Sequence, residues 1–154
     1  MNIMRQEDPR LYEKASMVTE FDETLATLLA DMKRTMLHAG AIGIAAPQVG
    51  VSSRIVIVMT LEGPLELVNP VIVSAKGKAI RWEECLNVPR RMGCVRRPRE
   101  LAVMAQDRHG NSFSFEVSGK LAGVISHELD HLNGELFVNK LIGTRKVNQP
   151  GLGK

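Results

Sequence analysis

Apolar residues recur every three or four positions from Leu25 onward, at Leu25, Leu28, Leu29, Met32 and Met36. That spacing marks one face of an α-helix. Thr19 and Asp22 fit a capping pattern ahead of it and Gly40 a stop behind it, which predicts a helix from about Asp22 to His38. The period then changes. The stretch 41–50 is small and apolar, punctuated by Gly and Pro, with Gln48 its one polar side chain; small residues of this kind let another chain or a ligand come close. Arg54 to Met59 is a β-branched run that reads as a strand. Turns are expected at Gly63-Pro64 and Lys76-Gly77-Lys78, with a strand from Leu65 to Val73 interrupted at Asn69-Pro70. A short strand from Ala79 to Glu83 leads to Cys85, and strands at Leu101 to Gln106 and Ser112 to Val117 flank a hairpin loop. A second helix runs from about Gly119 to Leu132 and stops at Asn133-Gly134.

This order predicts an α+β fold: antiparallel strands around a central helix near the C-terminal end, with a second helix near the N-terminus. Repeats and linkers are absent, so residues 1–154 read as a single domain, with a flexible tail expected from about residue 146.

Composition narrows the class. Twenty Lys and Arg against seventeen Asp and Glu give a net charge of +3, a mild excess that gives no sign of a dedicated nucleic-acid binder. No apolar run approaches the roughly 18 residues of a membrane span. Residues 1–20 carry Arg5, Glu7, Asp8, Arg10, Glu13 and Lys14, which excludes a signal-peptide apolar block there. Cys85 and Cys94 are the two cysteines, and the expectation is a cytoplasmic protein with reduced thiols.

The chemistry concentrates on the second helix. His127-Glu128-Leu129-Asp130-His131 sets two imidazoles four residues apart, on one helical face, with a glutamate beside the first. Cys85 offers a third ligand, and three protein ligands leave a tetrahedral metal one open position for a water. Gln48 could present its amide to a developing oxyanion. Asp130 leaves the ligand face by roughly 100° per residue step and suits a supporting role. Cys94, His38 and His109 read as structural or solvated. Arg90, Arg91, Arg96, Arg97 and Arg99 form a basic cluster, either a solvated face or a weak attraction for an anionic surface such as ribosomal RNA, to which Lys140, Arg145, Lys146 and Lys154 could add. Glu83 calls for a buried partner, with Arg91, Arg96, Arg97 or Arg99 available.

Read together, these stretches resemble the peptide deformylase family. Its first motif, G-x-G-x-A-A-x-Q, matches Ala41 to Gln48; its second, E-G-C-x-S, matches Glu83 to Asn87; its third, H-E-x-D-H, matches His127 to His131 unchanged. Asp8-Pro9-Arg10-Leu11 and the Leu132-x-Gly134 ending also resemble the family, which covers roughly Ile3 to Lys140. The resemblance implies a metal-dependent hydrolase that removes the formyl group from the N-terminal methionine of new polypeptides and releases formate. It implies Cys85, His127 and His131 as metal ligands, for Fe2+ in the cell, with Zn2+, Ni2+ or Co2+ able to occupy the site. Glu128 is then the general base, Gln48 and the backbone N–H of Leu86 stabilise the oxyanion, and Gly43, Ile44 and Val124 contact the peptide, which adds as a strand. N-formylmethionyl nascent peptides are the expected partners, with neither DNA nor membrane, and the chain is expected to be a monomer. The chain ends soon after Lys140, where many bacterial members continue into a further helix, so a short form is expected.

Four positions depart from the family pattern: Ala41, Glu84, Asn87 and Ser126. A non-glycine at 84 predicts ordinary backbone there, because a positive φ would cost it on the order of 1 kcal/mol. Two other functions fit parts of the pattern. A zinc protease shares H-E-x-x-H but takes a histidine or carboxylate as third ligand, against Cys85; a non-catalytic binder of nascent chains would have no need of Glu128 and Gln48.

Overall fold

The computed structural model describes residues 1–142. The tail expected from about residue 146, with Arg145, Lys146 and Lys154, lies outside the described residues. In chain order the elements are α1 (Glu23–His38), β1 (Gly43–Ala45), β2 (Ile55–Thr60), β3 (Gly63–Lys76), β4 (Ala79–Cys85), β5 (Val88–Arg97), β6 (Glu100–Gln106), β7 (Ser112–Ser118) and α2 (Gly119–Leu132). Five strands form one antiparallel sheet in the order β1-β2-β3-β6-β7, while β4 and β5 make a separate hairpin. The α+β expectation holds.

Strand β2 explains the layering. Its β-branched run is apolar on both faces because both are covered. Ile55 and Ile57 pack with Leu25, Leu29, Met32 and Met36 of α1. Val56 and Val58 pack with Ala122, Ile125, Leu129 and Leu132 of α2. Each fully buried Leu or Met on these stripes contributes about 1.5–3 kcal/mol. A smaller cluster of Leu11, Val88, Val95, Leu136 and Phe137 anchors the β4–β5 hairpin.

The local differences from expectation have identifiable causes. The cap of α1 is Asp22 itself, whose carboxylate accepts from the Leu25 N–H at 3.1 Å; Thr19 takes no part in that cap. The turn after β2 is Leu61-Glu62, and Gly63-Pro64 opens β3, the Thr60 hydroxyl donating to the Gly63 carbonyl at 2.7 Å. Asn69 does not interrupt β3. It sits at a bulge with φ 51, and its side chain bonds both the N–H and the carbonyl of Val18, clamping the N-terminal segment to the sheet. Asparagine tolerates that left-handed conformation better than most residues. Strand β5 is the element that composition concealed, because its arginines read as a surface cluster. Pairing to β4 makes it a strand, and alternation turns Gly93, Val95 and Arg97 inward.

Candidate metal centre and cleft

Helix α2 and the β4–β5 hairpin bring the chemistry together. α2 ends where Gly134 adopts φ 77 and donates to the His131 carbonyl at 3.1 Å. Four residues apart on its buried face stand His127 and His131. The hairpin turns at Leu86-Asn87, and a register shift between Glu84 and Cys85 carries Cys85 to its tip. Glu84 keeps an ordinary φ, as expected of a non-glycine. The Cys85 sulfur lies 3.3 Å from Nε2 of His131. Donor atoms of Cys85, His127 and His131 all fall within 4.8 Å of one another, and all three residues are buried. One thiol and two imidazoles so placed fit a divalent transition metal and leave a tetrahedral ion an open position.

Behind the ligands runs a charged network. Nδ1 of His127 meets Oε1 of Glu83 at 2.7 Å, which turns Nε2 of the ring away from Glu83. Glu83 is gripped by the guanidinium of Arg97 at 2.7 and 2.8 Å. Arg97 also reaches Asp130 at 2.5 Å and Ser126 at 3.4 Å. Of the four arginines offered by the sequence, the fold chooses Arg97, which is 2% exposed and so leaves the surface cluster. Burial works against ionisation of Glu83, but Arg97 and His127 outweigh it and hold its carboxyl at about 2. Burial also lowers the His127 pKa, yet hydrogen bonds to Cys85 and Glu83 raise it well above its ordinary value. Burial, with the neighbouring His127, drives His131 the other way. Metal and proton compete for such nitrogens, so affinity for an ion here depends on pH.

Glu128 differs from its neighbours. Burial raises its carboxyl to about 7, and its Oε1 is buried without a hydrogen-bond partner among the described residues. A carboxyl tuned near neutrality and free to take a proton suits general acid–base work. Gln48 is held in a 3-10 turn, Ala46–Val49. Its Oε1 accepts from the Ala45 N–H at 2.8 Å, and its Nε2 donates to Asn87 at 2.9 Å and towards the Cys85 sulfur at 3.4 Å. The Asn87 amide in turn donates to the Met4 carbonyl at 2.6 Å. The motif departure at 87 therefore fixes the orientation of Gln48, a role its position in the motif did not suggest.

A cleft of roughly 610 Å3 opens beside these groups, with Gly43, Gln48, Cys85, Leu86, Val124, His127 and Glu128 along its wall. Ile44 is not in the wall. Alternation along β1 sends its side chain to the opposite face, where it is fully buried among the α1 residues, so only its backbone can face a peptide. Gly43 has a steric reason to be glycine: a β-carbon there would come 2.8 Å from Oε2 of Glu128. Among the described residues the outer edge of β1 has no strand partner in the sheet, which leaves an edge open beside the cleft. Cys94 takes no part in the ligand group. Arg81 and Lys120, not singled out from the sequence, also line the cleft. Their spacing was the available signal: Arg81 lies two residues before Glu83 on one strand, and Lys120 seven before His127 on one helix.

Comparison with known proteins agrees with this geometry. The family model described as polypeptide deformylase matches residues 1–147. A peptide deformylase of Caldicellulosiruptor bescii is 50% identical over 140 residues, covering 91% of this chain and 84% of its own. Peptide deformylase 1 of Clostridium acetobutylicum is 42% identical over 140 residues, covering 91% and 93%. Among solved structures, a peptide deformylase from Legionella pneumophila superposes with a TM-score of 0.88 at 41% identity, covering 92% of this chain and 85% of that one. The peptide deformylase of Thermotoga maritima gives 0.90 at 34% identity, covering 92% and 97%. With the motif order, the fold and the family match in agreement, the chain belongs to the polypeptide deformylase family.

Proposed function

We propose that Glu128 is the acid–base group of this chain's deformylase reaction, working beside a metal held by Cys85, His127 and His131. The chain is a metal-dependent peptide deformylase, an enzyme that hydrolyses the formyl group from the N-terminus of nascent peptides. The arrangement that carries the assignment of roles is the three-donor set within 4.8 Å beside a buried carboxyl at about 7 with an unpartnered oxygen. A divalent ion in that set supplies Lewis acidity, making a water easier to deprotonate and the formyl carbonyl easier to attack. Glu128 takes the proton of the attacking water, then delivers it to the amine nitrogen as the carbon–nitrogen bond breaks, leaving formate and a free N-terminus. Gln48, oriented by Ala45 and Asn87, turns its amide N–H towards Cys85 and donates to the oxygen on which charge develops; the Leu86 N–H at the hairpin tip is the second donor. Gly43 and the backbone of Ile44 receive the peptide as an added strand, and Val124 packs against its first side chain.

The same proposal takes the ion in the cell as Fe2+, with Zn2+, Ni2+ or Co2+ as alternatives suited to this ligand set. A cytoplasmic setting follows from the need to keep the Cys85 thiol reduced. The chain is taken as a monomer, and exposed Arg90 and Arg96 give it a weak, salt-sensitive attraction for ribosomal RNA. Among the described residues no helix is long and apolar enough to cross a membrane.

Formate release from formyl-Met-Ala-Ser by protein loaded anaerobically with iron or nickel tests the assignment. Glu128→Ala should retain metal and lose nearly all turnover, while Cys85→Ser should lose or weaken the metal. Full activity in Glu128→Ala would sink the mechanism. Cleavage of an internal peptide bond without formate would favour a protease instead.

A further inference from the structure

The cleft has two faces, and the deformylation chemistry occupies only the one against α2. Among the described residues β4 pairs with β5 alone, so its other edge is free, as is the outer edge of β1, and both strands line the cleft. On β4, Glu83 bonds His127 and so faces α2; alternation sends Trp82 and Glu84 to the opposite face. A β-carbon at Gly43 would meet Glu128 and Val124 of α2, so the neighbouring side chains of Ile42 and Ile44 face away from that helix. Ile44 is buried among the α1 residues, but Ile42 stays 46% exposed and Trp82 59% exposed. Met92 is half-buried, pairs with Glu84 across the hairpin and stands diagonal to Trp82 on the same face. Ile42, Trp82 and Met92 all line the cleft, so an apolar surface lies open on the face away from α2. The exposed charges lining the cleft beside it, Glu84 and Arg90, are of opposite sign and together favour neither an anion nor a cation.

Large apolar side chains left open to water beside a cleft gain free energy when a ligand covers them. We propose that Trp82, with Ile42 and Met92, is a specificity-determining residue that selects a large apolar or aromatic side chain at the second residue of the formylated peptide. This inference rests on the deformylase reading. A peptide added between the two free edges places its formyl group at the Cys85–His127–His131 set and turns its first side chain towards Val124. Alternation then turns the second side chain to the opposite face, where Ile42 and Trp82 stand. At about 3.3 Å per residue, the second residue lies level with the stretch from Glu84 back to Trp82, which brings a ring at that position within reach of the indole. Offset stacking on the indole adds to the burial that Ile42 and Met92 supply. The third side chain turns back towards α2 and does not meet Trp82.

The test compares kcat/KM of the metal-loaded protein on three peptides. Formyl-Met-Phe-Ser against formyl-Met-Ala-Ser reads the second residue, and formyl-Met-Ala-Phe against formyl-Met-Ala-Ser reads the third. A preference of about fivefold to tenfold for phenylalanine at the second residue is expected, the size of an aromatic pair at a half-exposed site. Trp82→Ser should bring that ratio to about two or less, mainly through KM, and should leave the ratio at the third residue where it was. Ile42→Thr, across the cleft, is the second variant and should lower the second-residue ratio independently. Equal rates for the first pair, or a preference that survives both Trp82→Ser and Ile42→Thr, would overturn the inference while leaving the deformylase reading intact. So would a third-residue ratio that falls as far as the second in Trp82→Ser, since Trp82 would then act through the scaffold. An advantage as large for formyl-Met-Lys-Ser or formyl-Met-Asp-Ser would assign the site to charge and overturn it too. Absence of formate from every peptide would overturn both readings.

Discussion

Replacing Arg97 with methionine tests the network behind the metal ligands. Arg97 is 2% exposed and binds Glu83 at 2.7 and 2.8 Å and Asp130 at 2.5 Å. Methionine fills much of the space but takes the guanidinium from half-buried Glu83 and leaves Asp130 with Lys140 alone, at 3.1 Å, a change worth about 3–5 kcal/mol. The Glu83 carboxyl supports that figure independently. Burial opposes its ionisation, yet Arg97 and His127 hold it at about 2 instead of 4.5. At neutral pH that difference corresponds to about 3 kcal/mol, shared between Arg97 and His127. A folded-state pKa below the unfolded value means the contribution is fully present above about pH 4.5 and disappears as the pH falls towards 2. The stability gap between wild type and Arg97→Met should therefore be widest near neutrality and close in acid. For a chain of this length the melting temperature should fall by about 6–20 °C at pH 7. Because Glu83 then loses the support that orients His127, metal affinity should drop about 10- to 100-fold. Thermal melts across pH and competition with a chelating dye measure the two effects. Adding Glu83→Gln and Asp130→Asn should restore part of the stability but not the affinity. A melting temperature within about 2 °C of wild type, with unchanged affinity, would refute the reasoning.

Other outcomes follow from single contacts. Gly43→Ala places a β-carbon against Oε2 of Glu128 and Cγ1 of Val124, so turnover should fall about tenfold or more with a much smaller loss of stability; unchanged kcat would contradict the close approach. Gly134→Ala forces a side chain into φ 77 with a β-carbon 2.5 Å from the Tyr12 carbonyl, and should cost about 2 kcal/mol or more in urea unfolding. Burial raises the pKa of Glu66, but Arg108 and Lys33 outweigh it and lower the carboxyl below 4.5. Wild type should thus exceed Glu66→Gln by less than about 1 kcal/mol at pH 7, and the gap should shrink as acid protonates Glu66 below about pH 4.5. Metal removal by a chelator should lower the melting temperature of wild type and leave Cys85→Ser nearly unmoved.

Legibility along the chain follows the range of the interactions involved. Both helices were readable because apolar period and terminal signals are local, at Asp22 and Gly40 for α1 and at Asn133-Gly134 for α2. Strand β5 was not, since four arginines within Val88–Arg97 mask a strand whose pairing with β4 decides it. The motif named Ile44 but not the face of its side chain, because a three-residue strand carries too little alternation to show which side meets α1. Asn87 looked like a departure from pattern and proved to be the residue that orients Gln48 across 39 positions.

The sequence by itself determined the α+β class and the family, and marked the candidate ligands and the candidate glutamate, because all of these reside in residue identity and short spacing. Tertiary structure decided which of four arginines pairs with Glu83, where Glu128 loses its solvent and so acquires a carboxyl at about 7, and that Arg81 lies over Gly123 in the cleft. Those outcomes depend on burial and on contacts between segments tens of residues apart, and neither is encoded in the local period of the chain. Helix spacing can bring two histidines to one face; only packing of the hairpin against α2 brings Cys85 to meet them.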